Sequence, residues 1–201
     1  MLLEVLLGNL RHMQSQNSAK KNHQESLFEI DLKPMPEGSG YRGTIAAQAA
    51  GISYRQLDYW ARTGLIEPSI RNAAGSGSLR LYSFKDCLVL KVVKRLLDTG
   101  VSLSNIRMAI DHLRQQGIED LAHLTLISDG ASVYECNSDD EVIDLVRGGQ
   151  GVFGIAIGSV VREMEGALEH FPAEHLDGRL VLPQNMVDEL ASKRLLREQS
   201  A

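Results

Sequence analysis

The sequence is short of cysteine and of long apolar runs, and each shortage argues against a class of protein. Among its 201 residues only Cys87 and Cys136 are cysteines, and neither lies in a Cys-x-x-Cys or histidine-rich cluster. This argues against a disulfide framework or a zinc site and indicates a reducing compartment. No apolar run approaches the roughly 20 residues that span a bilayer. The apolar start at residues 1–8 carries Glu4 and has no basic segment. We therefore expect no signal peptide, no membrane contact and a cytoplasmic protein.

The net charge of −5 hides an uneven distribution along the chain. Taken alone, this charge argues against a nucleic-acid partner. Residues 41–117, however, carry 11 basic and 5 acidic side chains, whereas residues 118–201 carry 6 basic and 16 acidic ones. A positive segment joined to a negative one indicates DNA binding in the first and a different task in the second.

Residues 1–40 are predicted to be a disordered leader. A short amphipathic stretch is followed by a polar run at residues 14–25 and by Pro34 and Pro36. Such a run cannot bury enough apolar surface to fold alone, so we expect disorder through about Gly40. The sequence leaves open whether the amphipathic stretch is a helix or whether translation starts downstream of it.

Residues 44–68 organise the rest of the chain, because they predict two short helices that meet at Gly51. The first is rich in alanine, and Gly51 can adopt the left-handed conformation that ends it. Ser53 can then cap a second helix that begins near Tyr54. One small core can take Ile45, Ile52, Leu57 and Trp60, whereas the open faces carry Tyr54, Arg55, Asp58, Tyr59 and Arg62. This is the layout of a helix-turn-helix, whose second helix enters the major groove of DNA; an ordinary helical hairpin is the alternative.

A β-hairpin is predicted directly after these helices. Residues 66–71 and 79–82 can pair across a Gly/Ser loop. With Arg71 and Arg80 beside the loop, the hairpin is typical of a DNA-contacting wing; a plain surface loop is the alternative.

Two longer helices follow the hairpin. Ser83 can cap a helix from Phe84 to Thr99 that ends at Gly100, and Ser102 can open a helix that runs to Gln116. The buried stripe predicted for the first of them is Leu88, Val92, Val93, Leu96 and Leu97.

Taken together, residues 41–116 resemble the DNA-binding domain of MerR-family transcription regulators. The matching pieces are Leu57-Asp-Tyr-Trp-Ala-Arg-Thr-Gly-Leu-Ile66, the wing that leads into Arg80-Leu-Tyr82, and the helix pair around Leu96-Leu-Asp-Thr-Gly100. The resemblance implies a dimeric, sequence-specific regulator that binds between the −35 and −10 promoter elements. Such regulators distort an overlong spacer so that RNA polymerase can engage both elements.

The chain departs from the family pattern in three ways. Asp58 stands where the family usually has arginine, and we expect it to pair with Arg55 or Arg62 at helical spacing. The long heptad helix through which sensing members dimerise is missing after Gln116. The family's metal-sensing cysteines are missing too, so no metal ligand is carried over.

The expected DNA contacts fall on the helix-turn-helix and on the wing. Ser53, Tyr54 and Arg55 open the recognition helix and should approach base edges, where an arginine can bind guanine through two hydrogen bonds. Side chains expected to bind phosphates are Thr44, Tyr59, Arg62, Arg71, Arg80 and Tyr82.

Residues 118–182 predict a small α+β domain. Strands at residues 124–128 and 132–136 are joined by Asp129-Gly130, which is a strong hairpin signal. Ser138 opens a capping box and a helix, and a strand at 152–157 precedes a helix at 159–170. This pattern resembles the C-terminal part of actinobacterial MerR-like regulators. The expected fold class is therefore α+β: an N-terminal winged helix-turn-helix at 41–117, mostly α with a small β-wing, the small α+β domain, and a C-terminal helix or tail at 183–201.

Neither a cofactor site nor a catalytic site is predicted. Residues 149–154 match G-x-G-x-x-G, but a helix precedes them and an apolar run follows, so no βαβ unit surrounds them. A tight turn, close packing or a subunit contact is the expected role. Asp139, Asp140 and Glu141 suit a helix start. The histidines of this half, His123, His170 and His175, have no local nucleophile or ligand partner, so we expect no enzyme.

Dimerisation is expected to fall to residues 118–182. The family's coiled coil is missing, and a palindromic DNA site needs a two-fold partner. The alternative function is an interaction or ligand-binding module whose acidic C-terminal domain does the main work. A small-molecule effector is left open.

Overall fold

The computed structural model describes residues 35–72, 79–115, 117–130, 132–148 and 153–183, all of which belong to one compact unit that spans Leu32–Ala201. The helices in this part of the chain are α1 (Gly43–Ala50), α2 (Tyr54–Arg62), α3 (Phe84–Asp98), α4 (Leu103–Gln115), α5 (Ile118–Ala122), α6 (Asp139–Arg147) and α7 (Ile157–Leu168). The strands are β1 (Ser39–Arg42), β2 (Leu81–Tyr82), β3 (Thr125–Ser128), β4 (Val133–Cys136), β5 (Phe153–Ala156), β6 (Ala173–His175) and β7 (Leu180–Val181). They form two antiparallel sheets, ordered β2-β1-β6-β7 and β4-β3-β5. The fold class is α+β, as predicted.

The predicted helix-turn-helix is confirmed down to its caps. Gly51 has a φ of 74° and ends α1, since its N–H donates to the Gln48 carbonyl and the next N–H donates to the Ala47 carbonyl. Ser53 caps α2: its hydroxyl accepts the Gln56 N–H at 3.2 Å, and the Gln56 side-chain oxygen accepts the Ser53 N–H at 2.9 Å. These reciprocal bonds form a capping box, which starts α2 at a defined residue.

The base of the predicted wing, residues 71–72 and 79–82, is called the wing root here. It pairs differently from the predicted hairpin. Arg71 and Leu81 exchange both backbone hydrogen bonds, but residues 66–70 form no strand. Instead β2 pairs with β1, which begins at Ser39, inside the segment predicted to be disordered. A Cβ on Gly40 would come within 2.7 Å of the Tyr82 carbonyl oxygen, so glycine permits this close approach. Residues 73–78, which include the Gly/Ser loop, and residues 1–34 of the leader lie outside the described part of the chain.

The second helix pair forms as predicted. Ser83 caps α3 through a reciprocal box with Asp86, and Gly100, with φ 88°, follows its end. The predicted stripe of α3 is buried except for Leu97, which is half-buried. Val89 and Leu90 are buried as well, and α7 packs against α3.

The predicted hairpin of the C-terminal half is also confirmed. β3 and β4 pair antiparallel with Ser128 opposite Val133. The Ser138 hydroxyl accepts the Glu141 N–H at 3.3 Å at the start of α6. β5 then adds to the free edge of β3.

The C-terminal half returns to the helix-turn-helix segment through α7, which corresponds to the helix predicted at 159–170, and through β6, which the sequence did not predict. α7 packs on α1 and α3, and β6 pairs with β1, with Gly40 opposite Glu174. The buried face of α7 consists of Ile157, Val160, Val161, Met164 and Leu168. These contacts join the segments 41–117 and 118–182, and the boundary between them stays a prediction.

Two predicted features fall partly or wholly outside the described residues. Of the glycine motif at 149–154, the structure describes only Phe153 and Gly154, both in β5. The helix predicted within 183–201 is not described beyond Pro183. Among the helices that are described, none has the length and apolar character needed to cross a membrane.

Candidate nucleic-acid interface

The outward face of α2 presents aromatic and basic side chains to solvent. Tyr54 is 54% exposed and Tyr59 is 51% exposed, and Arg55 and Arg62 are exposed between and beyond them. Arg55 forms no hydrogen bond or ion pair within the described part of the chain. The opposite face is held by the buried side chains of Leu57 and Trp60. Helix α2 therefore presents a guanidinium that is unpaired among the described residues to solvent.

The start of α1 lies against the start of α2. A Cβ on Gly43 would come within 3.1 Å of Tyr54 Cε2 and 3.4 Å of Leu57 Cδ2. Thr44, the next residue, is exposed in the first turn of α1. The helix starts that hold Thr44 and Tyr54 are therefore adjacent, and the N-terminus of a helix favours a phosphate electrostatically.

Asp58 links α2 to the wing root. Its carboxylate accepts Arg62 Nε at 3.0 Å, which confirms one of the two predicted partners, and Arg80 Nη1 at 2.8 Å, which the sequence did not predict. The hydrogen bond from Arg80 is the main cause that lowers the pKa of Asp58, and the charge of Arg62 adds to it. The Arg80 side chain is only 17% exposed. Its guanidinium is thus engaged within the protein.

Arg71 is engaged in the same way on the other side of the wing root. Its Nε donates to the Leu79 carbonyl at 2.9 Å, and its Nη2 donates to Glu174 Oε1 at 2.7 Å. Arg42 Nε donates to the second oxygen of Glu174 at 2.6 Å. Both wing arginines expected to bind phosphate therefore pair with carboxylates in this structure, and their phosphate contacts stay a prediction.

Tyr82 lies in the core. Its side chain is fully buried beneath the wing root, and burial raises its pKa to about 12. Its hydroxyl has no hydrogen-bond partner among the described residues. The sequence placed Tyr82 next to Arg80 but could not show that the strand turns the phenol inward.

A third carboxylate neutralises the basic face of α3. Glu163 of α7 accepts Lys91 Nζ at 2.7 Å and also pairs with Arg95. The bond from Lys91 is the largest cause of its lowered pKa. Much of the positive charge counted in residues 41–117 is therefore paired inside the fold, and Arg55 stands out as a basic side chain left to solvent.

An open cavity of about 860 Å³ lies away from α2, between α4, β4 and α6. Met108, Tyr134, Cys136 and Leu145 are among the residues that line it. Burial, followed by the charge of Glu141, raises the pKa of the Cys136 thiol. Within the described ranges, no group of three histidine, cysteine or acidic residues could hold a metal ion.

The chain is similar to known regulators. Residues 41–113 match the family model described as "MerR HTH family regulatory protein". Over 177 residues the chain is 61% identical to an uncharacterized HTH-type transcriptional regulator of Mycobacterium tuberculosis, a match that covers 87% of this chain and 77% of the relative.

Two shorter matches are to regulators from other bacteria. The chain is 38% identical over 80 residues to the HTH-type transcriptional repressor CarH of Myxococcus xanthus, which covers 39% of this chain and 25% of that protein. It is 32% identical over 62 residues to the HTH-type transcriptional regulator HmrR of Sinorhizobium medicae, with 31% and 40% covered. With the capped helix-turn-helix and the wing root in place, the chain belongs to the MerR family of helix-turn-helix transcriptional regulators.

Proposed function

We propose that this regulator binds promoter DNA sequence-specifically as a homodimer and acts by distorting the spacer between the −35 and −10 elements. The observation that carries the proposal is the outward face of α2, where exposed Tyr54, Arg55, Tyr59 and Arg62 stand on a helix anchored by buried Trp60. This arrangement suits insertion of α2 into the major groove.

Base reading falls chiefly on Tyr54 and Arg55. The Ser53 hydroxyl is occupied in the capping box, so Ser53 contributes mainly by fixing where α2 begins. Arg55 has no partner among the described residues to give up, and its guanidinium can bind the O6 and N7 atoms of guanine together.

Direct phosphate contacts are assigned to Thr44, Tyr59 and Arg62, which are exposed. The Arg62 side chain stays 66% exposed although its Nε pairs with Asp58. Arg71, Arg80 and Tyr82 contribute through the position of the wing, because their polar groups are engaged or buried in the free protein. Backbone contacts of this kind set the register of a protein on DNA without carrying sequence information.

Distortion of the DNA and dimerisation complete the proposal. Few side chains per protomer reach base edges, and reading by deformation supplies specificity at positions that are not contacted. Two protomers place two α2 helices on one promoter, and residues 118–182 provide the contact between them. RNA polymerase then engages the two realigned promoter elements. The cavity beside α4 has the volume of a small-molecule site, which gives an effector a place outside the DNA-binding face.

The test is binding of the full chain to a duplex from its own upstream region, measured by fluorescence anisotropy over a salt series. Arg55→Ala should weaken the cognate site by about 1–3 kcal/mol and relax discrimination at one base pair. Arg62→Ala, the matched control, should weaken cognate and altered sites equally. No binding at micromolar protein and moderate salt would overturn DNA regulation and favour an interaction module.

The dimer and the distortion need separate measurements. Sedimentation equilibrium of the full chain should give a dimer, and a monomer at tens of micromolar counts against it. A gel-shift series with the site moved along a fragment should show position-dependent mobility, the signature of a bend. Uniform mobility would remove the distortion step from the proposal.

A further inference from the structure

Glu174 lies on the C-terminal strand β6, which pairs with β1 in the sheet β2-β1-β6-β7. Each of its two carboxylate oxygens accepts a different arginine: Oε2 takes Arg42 Nε at 2.6 Å and Oε1 takes Arg71 Nη2 at 2.7 Å. The Glu174 side chain is only 6% exposed. A nearly buried carboxylate from outside residues 41–117 therefore holds two arginines within them.

Arg71 connects Glu174 to both chain segments of the wing root, because it lies on the first segment and is bonded to Leu79 and Leu81 on the second. While Nη2 binds Glu174, Nε donates to the Leu79 carbonyl on the second segment at 2.9 Å. The backbone of Arg71 is also bonded in both directions to Leu81. Glu174 thus anchors Arg71, which is itself bonded to Leu79 and Leu81.

The chain of contacts continues from the wing root to the recognition helix. Arg80, between Leu79 and Leu81, donates to Asp58 on α2 at 2.8 Å. Every step from Glu174 to Asp58 is a hydrogen bond or a covalent link between neighbouring residues, and β6 is itself bonded to β1. A displacement of β6 should therefore shift the positions of the wing root and of α2.

The electrostatics make Glu174 costly to remove. The hydrogen bond from Arg71 is the main cause that lowers its pKa, followed by that from Arg42. The carboxylate is therefore ionised at neutral pH, and its loss leaves two guanidiniums without their counter-charge beside the DNA-binding face. Freed arginines bind phosphate with little regard to sequence.

We propose that Glu174 is a positioning residue for DNA recognition: it places the wing relative to α2 and keeps Arg42 and Arg71 from binding phosphates indiscriminately. This inference rests on the proposed function of α2 and the wing. Through Glu174, the C-terminal half takes part in sequence discrimination, and a change there that shifts β6 alters DNA specificity.

The test is Glu174→Gln in the full chain, which keeps the shape and removes the charge. Binding to the cognate duplex should weaken while binding to a random duplex strengthens, so that the specificity ratio falls by about tenfold, as for one lost base contact. The salt dependence should become steeper by about 1 for each arginine that reaches a phosphate. A merely structural defect lowers both affinities together and leaves the salt slope unchanged.

Glu163→Gln is the matched control. Glu163 also holds two basic side chains, Lys91 and Arg95, but it joins α7 to α3. Its removal should leave the specificity ratio and the salt slope as in the wild type. The inference is overturned if Glu174→Gln keeps wild-type values, or if the two variants change them equally.

Measurements on the wild-type chain distinguish failure of the proposed function from failure of this inference. If it shows no specific binding, the proposed function fails; if it binds specifically and Glu174→Gln keeps the same specificity ratio, only this inference fails. Should Glu174→Gln not fold, Glu174→Asp decides, because the shorter side chain keeps its charge but cannot reach both guanidiniums. The specificity ratio of Glu174→Asp should lie between those of the wild type and of Glu174→Gln. A ratio equal to that of the wild type would overturn the inference.

Discussion

The recognition helix and the wing root carry the same residue type in opposite environments. On α2, Arg55 is exposed and has no partner among the described residues. At the wing root, Arg71 and Arg80 are 28% and 17% exposed and hold Glu174 and Asp58. An exposed arginine exchanges only water for DNA, whereas a held one must first leave a carboxylate. Residue type alone therefore does not assign a DNA contact.

The difference arises from what covers each region. Tyr54, Arg55 and Tyr59 on the outer face of α2 are exposed in the described part of the chain, while the wing root is enclosed by α2 on one side and by β6 on the other. The acidic C-terminal half contributes to this difference through one specific side chain, Glu174, which holds Arg71 at the wing root.

The largest effect is expected from truncating Trp60, the buried side chain that supports the exposed face of α2. Trp60→Ala should lower the free energy of unfolding by about 3–5 kcal/mol, because a buried indole leaves a cavity. Thermal denaturation measures it. Tyr59→Ala is the control, since Tyr59 is exposed on the same helix: its stability should stay within about 0.5 kcal/mol of the wild type. Equal losses would show that the two faces are not distinct.

A smaller effect should distinguish Arg80, which pairs with Asp58, from Arg55, which has no partner among the described residues. Arg80→Ala removes the contact between the wing root and Asp58 and should lower the melting temperature by about 4 °C. Arg55→Ala should leave the melting temperature unchanged and act only on DNA binding. A loss of stability from Arg55→Ala that matches Arg80→Ala would erase the contrast between the two regions.

Loss of the helix cap tests how firmly α2 is placed. Ser53→Ala removes the acceptor for the Gln56 N–H and should cost about 1 kcal/mol of stability. Gln56→Ala leaves that acceptor and should cost less. Urea denaturation of both variants measures the difference, and the reverse order would show that the cap does not set the start of α2.

The smallest effect, spread over several pH units, concerns the carboxylates that hold basic side chains. The pKa of Glu174, beside Arg71 and Arg42, lies below its ordinary value of 4.5 in the folded protein. Its contribution to stability is therefore complete above that value and is lost as the pH falls through the lowered pKa. Urea midpoints between about pH 7 and about pH 3 should fall less for Glu174→Gln than for the wild type. Arg55→Ala should run parallel to the wild type, and a parallel Glu174→Gln curve would contradict the pairing.

Local signals account for the features that were predicted correctly. The caps at Ser53 and Ser83, the turn at Gly51 and the Asp129-Gly130 hairpin each depend on a few consecutive residues. Such signals are readable because capping and turn bonds form between near neighbours. The pairing of Asp58 with Arg62 was predicted for the same reason, since the two lie one helical turn apart.

The features that were missed depend on distant residues. Arg80 meets Asp58 across 22 positions, and Arg71 meets Glu174 across 103. The first half of β1, Ser39 and Gly40, falls inside the predicted disordered leader, because the partners of this strand, β2 and β6, lie far along the sequence. The inward orientation of Tyr82 follows from that same sheet.

The sequence by itself determined that the chain has a capped helix-turn-helix, a second helix pair and an α+β C-terminal half, because short-range bonds and apolar periodicity specify them. Only the tertiary structure decided which arginines face solvent. The pairing of a guanidinium with a carboxylate depends on where distant elements meet, and here β6 and α2 meet at the wing root.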